Sequence, residues 1–152
     1  MNNPTKSLLT VFLLFITVNT FGQDLNEQQL IGKWNVVNIE GTLPVADSEK
    51  QNLEIFLNAF KASTFEFESN NNFTLHIDFK EVEDRMKQLH WKYDRNLSKI
   101  IVQDWKNKDN SEGILLELDV EKNRGNVFFK ISKTPLIFEV EQEKGGGPKP
   151  KK

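Results

Sequence analysis

Asn70-Asn71-Asn72-Phe73-Thr74-Leu75-His76-Ile77-Asp78-Phe79 decides the fold. In an extended chain successive side chains point to opposite faces, so Phe73, Leu75, Ile77 and Phe79 share one face. Thr74, His76, Asp78 and Lys80 share the other. One dry face and one wet face belong to antiparallel sheet, since parallel strands are usually buried on both sides. The three asparagines just ahead tolerate left-handed backbone and join this run to the strand-like Thr64-Phe65-Glu66-Phe67 as a hairpin.

The same grammar extends in both directions. Strands are predicted at Leu30–Glu40, Ser63–Ser69, Asn72–Phe79, Leu89–Arg95, Ser98–Trp105, Gly113–Glu121, Asn126–Ser132 and Leu136–Gln142. Eight short strands at near-regular spacing indicate a sandwich or barrel. Leu89, Trp91 and Tyr93 oppose His90, Lys92 and Asp94 in the same alternating way. Turn residues separate the runs at Asp94–Leu97 and at Lys122–Gly125, where Gly125 adopts positive φ at low cost. Pro135 stands at a strand boundary, where its missing N–H does least harm. Lys106–Glu112 is a longer, very polar loop. Short loops between consecutive strands imply up-and-down neighbours.

One segment has a different period. Leu53, Phe56, Leu57 and Phe60 recur at helical spacing, and Ser48 with Gln51 has the form of a capping box, so a helix is predicted over Ser48–Ala62. Inserted between the first two strands, its apolar face would plug one end of the barrel or act as a mobile lid.

The termini carry separate signals. Lys6 followed by the mostly apolar Leu8–Val18 has the form of a signal peptide, ending near Gly22 with Gln23 as the new N-terminus. The apolar run is too short to span a bilayer, which takes about 20 residues. The last residues, Gly145–Lys152, contain three glycines, two prolines and three lysines and read as a disordered basic tail, with Lys144 just ahead of it. The domain proper is therefore 23–144, expected in the periplasm or outside the cell.

Composition narrows the function. The chain of 152 residues has a formal charge of −2, and loss of Lys6 with the leader makes it −3. A nucleic-acid partner would call for a clear cationic excess. With no cysteine there can be no disulfide, thiolate metal site or thiol nucleophile, nor an acylated N-terminal cysteine.

Leu30-Ile31-Gly32-Lys33-Trp34 opens the first strand; with Thr64–Phe67 and Asn70–Phe73 it resembles the small exported lipocalin-like domains of Bacteroidetes-type bacteria. The resemblance runs from about Leu30 to Gln142. It implies an eight-stranded up-and-down barrel in which Gly32 allows close passage at the floor and Trp34 seals it. In many lipocalins a basic residue stacks on this tryptophan, and Lys144 is the candidate for that place.

An eight-stranded barrel either fills itself with side chains or holds one small ligand. Candidate inward residues are Phe65, Phe67, Phe73, Leu75, Trp91, Tyr93, Phe129 and Phe138, with Leu53, Phe56, Leu57 and Phe60 as the lid. The expected activity is non-enzymatic binding of a small apolar or amphipathic molecule. The alternative is a filled barrel serving as a protein-interaction module in the cell envelope. Catalysis ranks last, because no acid, base or nucleophile is expected to face inward. His76, Asp78 and His90 lie on outer faces and would approach one another only if their strands paired as a simple hairpin across residues 80–88. No metal or other cofactor is expected. Adjacent apolar pairs at Ile100-Ile101, Leu115-Leu116 and Phe128-Phe129 must each send one side chain outward, where a continuous strip would mark a protein contact.

Overall fold

The computed structural model describes residues 24–145. The signal-peptide reading of 1–22 and nearly all of the predicted tail lie outside those residues.

The chain enters through a single helical turn, α1 (Glu27–Leu30). Asn26 caps it: its side chain accepts from the Gln29 N–H at 2.9 Å while Gln29 Oε1 accepts from the Asn26 N–H at 2.9 Å. This reciprocal box satisfies two orphan donors of the helix start and fixes where the strand begins.

Eight strands follow: β1 (Gly32–Glu40), β2 (Thr64–Phe67), β3 (Asn72–His76), β4 (Leu89–Asp94), β5 (Lys99–Gln103), β6 (Ile114–Asn123), β7 (Asn126–Ile131) and β8 (Ile137–Gln142). Each pairs antiparallel with its neighbour, and β8 pairs back onto β1, closing the barrel. Trp34 faces Gln142 and Val36 faces Val140, after which a bulge shifts the register before Asn38–Glu139. An extra residue of this kind bends and twists a strand, which suits one shared between two neighbours in a closed sheet. The alternation read from the sequence is the alternation of burial. Phe65, Phe67, Phe73, Leu75, Trp91, Ile100, Val102, Leu118, Phe129, Phe138 and Val140 are buried in one core, and the residues between them are more exposed.

The barrel has two unlike ends. The short turns β2–β3, β4–β5 and β6–β7 share the floor with α1. The mouth holds the longer connections. After β1 a 3₁₀ turn (Asp47–Glu49) leads into α2 (Lys50–Lys61). The Ser48 capping box is not formed: Ser48 lies within the 3₁₀ turn, and Glu49 at the N-cap makes no side-chain cap bond. The helix stops at Ser63, whose hydroxyl donates to the Phe60 carbonyl at 2.7 Å while its own carbonyl accepts from the Val36 N–H at 3.0 Å. That residue ties the helix end to β1.

A second helix, α3 (Lys80–Arg85), occupies the β3–β4 connection. Here β3 is shorter than the sequence alternation indicated: it ends at His76, and Phe79 becomes the N-cap position of α3. Asp84 accepts from Lys87 at 2.7 Å and from Lys80 at 2.9 Å, and these bonds hold its carboxyl down at about 2. Val82 and Met86 pack against the core, so the apolar face of this short helix closes a gap the strands leave.

After β1 the chain passes close to the β7–β8 turn at Gly41. Its φ is +94°, and a Cβ there would strike the Pro135 carbonyl. Gly41→Ala is therefore expected to lower stability by about 1–3 kcal/mol from the backbone conformation alone, and more from the clash. The midpoint of urea unfolding followed by circular dichroism measures it.

Candidate functional site

The interior is built from rings. Phe60 of α2 stacks on Phe138 of β8 with centroids 5.2 Å apart and planes 6° from parallel. Phe138 lies 5.9 Å from Phe65, and Phe65 meets Phe129 edge-on at 5.6 Å. Phe129 contacts Phe67 at 6.0 Å and Trp34 at 5.6 Å, and Phe67 meets Trp91 at 5.1 Å. One continuous aromatic chain thus runs from mouth to floor. Tilted and edge-to-face contacts at these separations are the favourable geometries for ring quadrupoles.

Of the eight residues predicted to line a pocket, Phe65, Phe67, Phe73, Leu75, Trp91, Phe129 and Phe138 are each at most 1% exposed. They face inward, and they contact one another or their core neighbours. Tyr93 is the exception. It is half-buried at the floor end of β4, opposite Ile100, and its hydroxyl is buried without a hydrogen-bond partner.

The four helix residues divide into two pairs. Phe56 and Phe60 turn into the barrel, meeting edge-on at 4.8 Å, and plug the mouth. Leu53 and Leu57 instead line a shallow groove of about 260 Å³ outside it, with Ile39 and Gly41.

The floor is sealed by Trp34, whose indole N–H donates to the Leu30 carbonyl at 2.8 Å. Leu30 and Leu25 are buried beneath it. Gly32 has φ +131°, and a Cβ there would sit 3.1 Å from the Gln142 amide nitrogen. That amide donates to the carbonyls of Ile31 at 2.9 Å and Gln29 at 3.2 Å. Gln142, not Lys144, therefore closes the floor across from Trp34, and the ring packed on the indole is Phe129. A neutral amide suits this place because the groups it meets are carbonyls in need of donors.

Around the floor runs an open groove of about 1430 Å³, bounded by α1, the start of β1, the β2–β3 turn and the ends of β7 and β8. Its carboxylates are Glu66, Glu68, Glu139, Glu141 and Glu143, against Lys33, Lys122 and Lys144. Lys33 stands 3.7 Å from Glu66, which His76 Nε2 also meets at 2.6 Å.

The outer faces correct two readings. β3 and β4 pair only at Asn72–His90 and Phe73–Leu89, so His90 stands opposite Asn72 and not near His76. The trio His76, Asp78 and His90 does not assemble, and no group of three potential metal ligands forms among the described residues. Of the outward apolar residues, Ile101 faces Glu117 and Phe128 lies between Glu121 and Glu139, so no continuous strip joins them to the exposed Leu115.

The sequence reading missed α1, α3 and the role of Gln142. The Asn26-x-x-Gln29 box and the Lys80/Asp84 spacing were visible signals for the two helices; nothing local marked Gln142, which acts through a partner more than a hundred residues away. Comparison of the chain with protein-family models, with curated proteins and with solved structures finds no match.

Trp34→Phe keeps a ring in the floor but leaves the buried Leu30 carbonyl without its donor. It is expected to cost about 1–3 kcal/mol, whereas Lys144→Ala changes stability by less than about 0.5 kcal/mol. Guanidinium unfolding of the two variants side by side tests this division of roles.

Proposed function

We propose that the chain is an exported, non-enzymatic, lipocalin-like domain that works from its outer surface as a protein-interaction module. The observation that carries this reading is the unbroken ring packing from Phe60 to Trp91, which occupies the space where a ligand would sit. A molecule entering there would have to displace several aromatic side chains, each worth about 3–5 kcal/mol to the core when removed. No helix among the described residues is long and apolar enough to cross a membrane.

The floor groove is the favoured contact. It is wide, and its carboxylates outnumber its lysines. It therefore suits a partner protein that presents basic side chains, and electrostatic complementarity of this kind speeds encounter and fixes register.

A second reading keeps the small apolar ligand. The mouth is closed by Phe56 and Phe60, on a helix whose other side is exposed, and such a plug could swing away.

Native mass spectrometry of residues 23–152, purified gently from the cell's own envelope fraction, separates the two. The interaction reading predicts no small-molecule adduct but a second polypeptide. That polypeptide is lost when Glu141→Lys and Glu143→Lys are combined. An added mass removed by organic solvent overturns it in favour of a ligand barrel. Phe60→Ala supplies an independent check. The wild-type protein is expected to leave the dye anilinonaphthalene sulfonate dark, while the variant, with its mouth opened, binds it; bright dye with the wild type favours the ligand reading.

A further inference from the structure

The β3–β4 seam is the least secured joint of the barrel. Its neighbours pair along most of their length, His90–Asp94 against Lys99–Gln103 for example, whereas β3 and β4 share only the register pairs Asn72–His90 and Phe73–Leu89. Beyond these, the Trp91 N–H bonds the Asn71 carbonyl at 2.9 Å and its indole N–H the Glu68 carbonyl at 3.0 Å on the floor side, the Leu75 N–H bonds the Met86 carbonyl at 2.8 Å on the other, and the strands part around α3.

A strap lies across this seam from outside. The loop after β5 begins with a 3₁₀ turn (Trp105–Asn107) and folds back over the outer wall. The Trp105 indole N–H donates to Asn72 Oδ1 on β3 at 3.2 Å, while its ring meets the imidazole of His90 on β4 edge-on at 4.7 Å. One side chain thus bridges the two members of a single register pair. The strap is held from below by Gln103, whose amide donates to the carbonyls of Asn107 and, at 3.1 Å, Asn110. Gln103 alternates with the inward Val102 and so points outward, yet it is fully buried, because the strap covers it. Lys92 adds a bond to the Lys108 carbonyl at 3.2 Å.

We propose that this strap is a pH-sensitive clasp on the β3–β4 seam, closed while His90 is neutral and released when His90 takes up a proton. Nδ1 of His90 is buried and has no partner. A neutral imidazole can keep its proton on Nε2 and leave Nδ1 bare, but an imidazolium must carry N–H on both nitrogens. No acceptor is bonded to Nδ1 in the closed arrangement, and the one unpartnered oxygen on a paired residue, Gln103 Oε1, does not meet it, so the new donor would be buried unpaired, which is the costly case. The charged groups around it add to the effect. Lys92 on the same strand and Lys108 on the strap repel an imidazolium, Asp109 on the strap attracts it, and β3 and β5 face it with the uncharged Asn72 and Gln103. Burial first, then the two lysines, hold His90 below its ordinary range.

The sign follows from linkage. A base whose pKa is lower in the closed state binds protons preferentially in the open one, so closure is fully favoured above the open-state pKa of about 6.5 and weakens as the pH falls below it. Each unit of depression multiplies the opening equilibrium by up to about tenfold at acid pH.

Acrylamide quenching of tryptophan fluorescence reads the clasp, because Trp34 and Trp91 are buried in the core and Trp105 is 41% exposed. The wild-type quenching constant is expected to rise between pH 7.5 and 5, and His90→Gln to abolish that rise while His76→Gln leaves it intact. A flat profile for the wild type, or an unchanged rise in His90→Gln, overturns the proposal. Should His90→Gln fail to fold, titration of the two histidines by proton NMR in the wild type decides alone. A His90 pKa below that of the free side chain supports release by acid. A raised value means that the unpartnered Gln103 Oε1 accepts a hydrogen bond from the new Nδ1–H, so that acid tightens the clasp, and it overturns the proposal.

Discussion

The pairing of β8 with β1 is the constraint on which the rest of the domain depends. Closure removes both free edges, which would otherwise offer unpaired N–H and C=O groups to another chain. It also fixes the interior volume, since strand number sets the diameter of a barrel, and eight strands leave room for side chains or one small ligand. Eight of the nineteen buried core residues of this barrel are phenylalanine or tryptophan. Rings of that size meet in the middle, as the contacts among Phe65, Phe67, Phe129 and Phe138 show. Aromatic side chains of that bulk fill much of the interior.

Legibility followed the range of the interactions. Strand alternation is local and strict, so the eight strands and their order could be read from the period-two runs, and so could the inward set apart from Tyr93, although the end of β3 at His76 could not. The helix after β1 was readable for the same reason: Phe56 and Phe60 lie one turn apart and reach the core together. What escaped the reading depended on register. Leu53 and Leu57 share the helical apolar pattern but line an outer groove with Ile39 and Gly41, which depends on how the helix docks and not on its own sequence. His76 and His90 would be neighbours in a simple hairpin. The α3 insertion shifts the β3–β4 pairing to Asn72 and Phe73, and the histidines separate. Asp84, bonded on both sides by lysines, helps stabilise the helix responsible.

The two ends of the barrel use different chemistry for the same task. The floor is closed by fixed hydrogen bonds: Trp34 to the Leu30 carbonyl, and Gln142 to the carbonyls of Gln29 and Ile31. The Trp34 bond is local and the Gln142 bonds join segments more than a hundred residues apart, and all of them are directional, so the floor has one geometry. The mouth is closed by Phe56 and Phe60, through ring contacts that are less directional. Ser63 adds a fixed polar tie at the C-terminal end of that helix, through its hydroxyl to Phe60 and its carbonyl to Val36.

A filled interior changes where conformational freedom can reside. Close-packed cores respond to strain as units and deform little, so movement concentrates where packing and pairing are thinnest. In this barrel that place is the β3–β4 seam, where two register pairs and a short helix replace a full ladder. The strap spends its polar contacts there: Trp105 on Asn72 and His90, Gln103 on Asn107 and Asn110, Lys92 on Lys108. Were the loop merely a solvated connection, Gln103 would have no reason to be buried on an outward position, with one amide atom satisfied and the other not. Its burial shows that the loop packs against the wall over the end of β5.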